Sequence, residues 1–145
     1  MKSEPEVFSI DDLKTKKRWY WDGVRGYQAR NYMRDDMRVG DIVIFYHSNA
    51  TPIGPVGVAS IARTSYPDHT QFDPASLYFD PKATKAVPRW FMVDVRFVKK
   101  FSHTITRDEL KKNKALNGLM LWSHSRLSII PLTDKEFETI LTLAK

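Results

Sequence analysis

Trp19, Trp21 and Trp90 are large flat side chains, and the sequence sets the first two beside positive charge and short polar groups. The densest stretch is WYWDGVRGYQARNY, residues 19–32, in which the rings alternate with Arg25 and Arg30 and are broken by Gly23 and Gly26. As pure core the arginines would be misplaced; as pure surface the tryptophans would be. A slot of rings edged by Ser, Asn and His side chains is what a nucleobase requires. Stacking on an aromatic ring is worth ~1–3 kcal/mol per base whichever base it is. Hydrogen bonds to the base edge then choose among bases, and cations at the mouth hold phosphates.

Charge points the same way. Between Lys14 and Arg38 eight basic residues face three acids, so this segment holds most of the formal net charge of +6. Such a field attracts polyanions directly and through counterion release. A solvated basic face with no ligand is the bland alternative.

Other chemistries have weaker footing. GxxxxGK[ST] and GxGxxG are absent, so the usual phosphate cradles are missing. His47, His69, His103 and His124 are far apart, and the chain has no cysteine, so no metal site and no disulfide framework is expected. His47-Ser48 at a strand end raises a hydrolase reading, but there is no GxSxG elbow, and neighbours on a strand point to opposite faces.

These residues need elements to position them. Ser9 with Asp12, Thr106 with Glu109 and Thr133 with Glu136 each read as a capping box opening a helix. Residues 28–38 form a further helix candidate, with Ala29, Tyr32, Met33 and Met37 on one side, stopped at Gly40. The run IVIFY, residues 42–46, predicts a buried strand; residues 54–62 predict a second. Residues 66–88, with prolines 67, 74, 81 and 88, predict a long surface excursion of the kind that carries function. Residues 89–101 return to strand, with Phe91, Val93, Val95 and Phe97 alternating. Residues 126–132 predict a last strand, and Phe137, Ile140, Leu141 and Ala144 mark a docked terminal helix. With 145 residues and no internal boundary, one domain is expected. Strands rarely alternate with long helices, which argues for a small antiparallel barrel over a doubly wound sheet. No apolar run nears the ~20 residues of a membrane helix, and the N-terminus lacks a signal pattern, so a cytoplasmic monomer away from membranes is expected.

Several stretches together resemble the EVE domain family: KSEP (2–5), WDGVRGYQARN (21–31), Gly40-Asp41, FYHSN (45–49), YPD (66–68), PRW (88–90) and RLS (126–128). The resemblance runs in order over essentially the whole chain. It implies an α+β fold, a PUA-like open barrel of five or six mostly antiparallel strands with flanking helices. It is similar to YTH and ASCH domains, which implies recognition of RNA or of a modified base. For the EVE family it implies a non-enzymatic reader of nucleobases such as modified cytosine, without cofactor. Two departures stand out. Gly26 occupies a position where the family reads Asn, removing a polar side chain from the expected mouth. Met1 directly precedes Lys2, so the first strand is short.

On this basis Trp21, Tyr46 and Trp90 are the stacking candidates. Ser3 and Glu4 at the end of the first strand, with Asn31, His47 and Ser48, are candidates for reading the base edge. Arg126 and Ser128 are candidates for the floor. Arg25 and Arg30 would hold phosphate, with Lys16, Lys17 and Arg18 as outer steering charges. Core packing competes for each ring, a helix-side hydrogen bond for Asn31 and a salt bridge for Arg126. Two other functions stay open: a sensor of free nucleosides in the same slot, and a nucleotide-directed hydrolase using His47 with an acid such as Glu4.

Overall fold

A computed structural model describes residues 1–145. The chain runs β1 (Lys2–Ser3), α1 (Ile10–Lys16), β2 (Arg18–Trp21), α2 (Tyr27–Asn31), β3 (Ile42–His47), β4 (Gly54–Pro67), β5 (Phe91–Lys100), α3 (Arg107–Lys112), α4 (Met120–Ser123) and α5 (Asp134–Leu143). The strands form one five-stranded sheet in the order β1-β3-β4-β5-β2. β1 runs parallel to β3, and the other three pairings are antiparallel. Register shifts in β3–β4 at Phe45/Tyr46 and in β4–β5 at three places bend the strands, as bulges do. The sheet curls into an open half-barrel whose two edges, β1 and β2, come round to line one recess.

β3 is buried on both faces, which is why its sequence is a continuous apolar run rather than an alternating one. Val43 and Phe45 join the core inside the curl with Ile10, Leu13, Met33, Val93 and Val95. Ile44 and Tyr46 join a second core on the outer face, with Leu110, Leu116 and Ile140 from the C-terminal helices. β2 pairs with β5 so that Trp19 lies opposite Val95 and Trp21 opposite Val93. Those four therefore share the inner face, while Arg18 and Tyr20 share the outer face with Arg96 and Asp94.

All three predicted capping boxes form, with each Ser or Thr hydroxyl accepting from the backbone N–H three residues on. Three elements differ from expectation. β2 was not predicted, because four residues inside a basic stretch are too short to show alternation. The predicted 28–38 helix starts at Tyr27, and its α-helical part ends at Asn31. A π-helical turn continues it over Tyr32–Asp36, closed by Met37 N–H donating to Tyr32 O at 3.2 Å. The predicted last strand does not form either: residues 126–132 pass beside β1 through a turn at Arg126 and a bend at Ser128–Ile129, and β1, only two residues long, offers one backbone bond, Lys2 N–H to Ser128 O at 2.9 Å. No helix is long and apolar enough to cross a membrane.

Candidate functional site

The open seam of the half-barrel holds a recess of about 710 Å³. One wall is Ser3 of β1 and Glu4 after it, Ser48 after β3, and Arg126 and Ser128 of the segment before α5. The opposite wall is Trp19, Trp21, Asp22 and Gly23 of β2 and its turn, with Phe8 behind and Tyr78 and Arg25 at one side. A site between two sheet edges forms here because neither edge has a further strand to pair with.

The aromatic wall is held from behind. Trp21 meets Phe8 edge-on at 6.3 Å between centroids and Phe45 at 5.3 Å. It is 7% exposed, so it is core that shows one edge to the recess. Trp19 is less buried; Tyr20 stacks on it at 4.7 Å and the Lys16 ammonium lies 3.9 Å from its centroid.

The turn after Trp21 is locked to the long excursion. Gly23 has φ +80°, and a Cβ there would lie 2.7 Å from the Tyr78 ring, so only glycine lets that ring close over the turn. Gly23 N–H donates to Asp68 Oδ2 at 2.8 Å. Arg25 reaches Asp68 at 3.1 Å, Thr70 Oγ1 at 3.0 Å, Val24 O at 2.9 Å and Tyr78 O at 3.0 and 2.7 Å. These contacts occupy the five donors a guanidinium possesses. Burial alone would raise the Asp68 carboxyl, but hydrogen bonds from Thr70, Gly23 and Arg25 outweigh it and hold the group below the usual carboxylate range. Gln71, fully buried, ties the far end: its amide donates to Asp68 O and Trp90 O and accepts from the Arg89 and Trp90 N–H groups.

Asp22 differs from Asp68. It lines the recess half-buried, and its carboxylate accepts no hydrogen bond from another residue. Burial first, and the nearby Asp68 second, push its pKa up; its own backbone N–H, then His69 and Arg25, oppose this more weakly.

The recess brings together Ser3, Glu4, Trp21, Ser48, Arg126 and Ser128 of the predicted base-contacting residues. Ser3 Oγ donates to Phe8 O at 2.6 Å, leaving its lone pairs open, and no salt bridge forms at Arg126.

The other four lie elsewhere. Tyr46 follows Phe45 on the strand and so points to the opposite face, into the helix-side core. His47 stays on the inner face, but Ile10 N–H donates to its Nε2 at 3.1 Å, making it a cap for α1; burial lowers its pKa. Trp90 is buried under Tyr27, stacked at 5.0 Å, with its indole donating to Asp80 at 2.7 Å. The Asn31 amide oxygen accepts from Arg30 and Arg34 on the outside of the helix.

Among the expected phosphate contacts, Arg25 lines the recess but is spent as the clasp just described. Arg30 lies over Tyr27 at 4.7 Å and donates to Arg89 O. Arg18 pairs with Asp94 at 3.1 Å on the outer face. Lys16 and Lys17 remain exposed at the end of α1. Gly26 is not at the mouth: it is the N-cap of α2, with no side-chain cap.

Sequence reasoning singled out Trp19 as a ring but not as a stacking candidate, and it missed Asp22 and Tyr78. Trp19 had a signal, since placing residues 18–21 on a strand puts it on the face of Trp21. Tyr78 had none beyond its place in the excursion.

A family model described as EVE domain matches residues 1–143. Thymocyte nuclear protein 1 of Mus musculus is 44% identical over 162 residues, covering 99% of this chain and 71% of the relative. A hypothetical protein from Leishmania major is 48% identical with a TM-score of 0.97, covering 99% of this chain and 91% of that one. The human THYN1 protein, solved in complex with 5-methylcytosine containing DNA, is 42% identical with a TM-score of 0.94, covering 100% of this chain and 95% of that one. With its family match spanning nearly every residue and its half-barrel superposing on those of its relatives, the chain belongs to the EVE domain family.

Proposed function

We propose that the seam recess receives a single nucleobase from a nucleic acid strand, favouring a modified cytosine, and binds it without altering it. The observation that carries this reading is the ring-lined recess of a fold whose 42%-identical human relative was solved with 5-methylcytosine containing DNA. Trp19 and Tyr78 offer ring surface with Trp21 as the apolar back, Ser3, Glu4, Asp22, Ser48 and Ser128 offer hydrogen-bonding edges, and Arg126 with Lys16 and Lys17 meets the phosphates. His47 supports a binder over a hydrolase, since its Nε2 is engaged by α1 and no acid hydrogen-bonds to the ring.

Magnitudes set the expected behaviour. Drawing a base from a duplex costs a few kcal/mol, which one stack at ~1–3 kcal/mol and two hydrogen bonds roughly offset. A methyl group in a fitted slot discriminates by ~1–3 kcal/mol, or about 10–200-fold. Binding is therefore weak, biased by modification and sensitive to salt. The test is fluorescence anisotropy at low salt with labelled DNA and RNA oligonucleotides carrying cytosine, 5-methylcytosine or 5-hydroxymethylcytosine at one position. Tighter binding of a modified form is expected; no measurable binding to any oligonucleotide overturns the reading.

A further inference from the structure

We propose that Asp22 makes the recess select bases by their exocyclic amine, so that it accepts 5-methylcytosine and refuses thymine although both present the same methyl group. The inference rests on the base-binding reading and adds which edge of the base is read.

Asp22 directly follows the buried Trp21 at the end of β2, and it lines the recess. Two nearby donors are committed elsewhere, and His69, which also lies close, makes no hydrogen bond to Asp22. Gly23 N–H goes to Asp68, and the Arg25 guanidinium is spent on Asp68, Thr70, Val24 and Tyr78. Asp22 is thus a half-buried acceptor that takes no hydrogen bond from another residue, on the wall that carries Trp19 and Trp21. Its neighbour Asp68 is saturated by its own donors and adds only repulsion.

A carboxylate of this kind is satisfied by an N–H donor from the ligand. Cytosine supplies one at its N4 amine, and acidic side chains accept from that group. Thymine and uracil place a carbonyl oxygen there, setting acceptor against acceptor in a half-buried site, where an unpaired polar group is costly. Discrimination of roughly 10–100-fold follows for one good pair. The methyl group cannot supply this selectivity, because 5-methylcytosine and thymine share it.

The experiment uses the full chain and DNA duplexes in which the test base sits opposite an abasic site, so that every base is equally free to leave the stack. Dissociation constants are measured for 5-methylcytosine, thymine and N4,N4-dimethylcytosine, the last lacking both amine protons. Wild type is expected to bind 5-methylcytosine at least about tenfold more tightly than the other two. Asp22→Asn, which can donate as well as accept, is expected to bring 5-methylcytosine and thymine within about threefold of each other, with thymine gaining. Equal wild-type affinities for 5-methylcytosine and thymine overturn the inference and leave base binding standing. Tight binding of N4,N4-dimethylcytosine, or an unchanged ratio in folded Asp22→Asn, also overturns it. Failure of all three duplexes to bind at low salt sinks the base-binding reading itself. The dimethylated base probes the amine without altering the protein, so the outcome does not depend on how the variant folds.

Discussion

Arg25 gives all its donors to the protein, and that decides what its substitution does. The Asp68 carboxylate it faces is 0% exposed. Removing the partner of a buried charge costs about 3–5 kcal/mol. Arg25→Lys is expected to lose about 3 kcal/mol in urea unfolding, because a lysine is a point donor and cannot reach Asp68, Thr70 and Tyr78 at once. Base binding should weaken with it, since Tyr78 then loses its tether beside the recess. Trp19 and Tyr46 make the complementary pair. Trp19→Ala should weaken oligonucleotide binding by ~1–3 kcal/mol. Tyr46→Phe, on the far face of β3, should leave affinity within about twofold, because its hydroxyl lies outside the seam. Anisotropy titration of the two variants distinguishes a recess at the seam from one on the Tyr46 face.

At the scale of elements, two helix starts carry testable consequences. The first N–H of α1 donates to His47, which requires a neutral ring. Burial lowers the His47 pKa below its ordinary 6.5 in the fold, so the unfolded chain binds the proton more readily. Stability from this contact is full above pH 6.5 and falls as pH drops below that value toward the lowered folded pKa. Urea unfolding from pH 7.5 to 5 should show the loss, and His47→Gln, which keeps an acceptor without titrating, should flatten it. α2 begins at Gly26 with no side-chain cap, and a Cβ there meets nothing within 4 Å. Gly26→Asn should therefore stabilise by a few tenths of a kcal/mol and raise Tm by about 1 °C in calorimetry.

For the whole molecule, the positive field and the seam work together. The +6 charge concentrates phosphate, and the exposed Lys16 and Lys17 with Arg126 stand near the rings. Three phosphate contacts give a slope of log K against log salt near −3 on duplex DNA, and Arg126→Ala should reduce its magnitude by about one. A titration series from low to physiological salt measures both. Much of this architecture was legible before the structure. The capping boxes at Ser9, Thr106 and Thr133 are local signals, complete within four residues, and each forms. The family motifs marked Ser3, Glu4, Trp21, Ser48, Arg126 and Ser128, which converge on one recess. Residue types and short spacings determined the helix starts, the buried strand and the basic character of the chain, because those depend on neighbours in sequence. Only the tertiary structure decided which face of the doubly buried β3 looks into the seam, that Arg25 is a clasp, and that Tyr78 stands beside the rings. Each follows from the curl of a sheet and the path of a long excursion, which bring together residues too far apart in sequence for any local pattern to register.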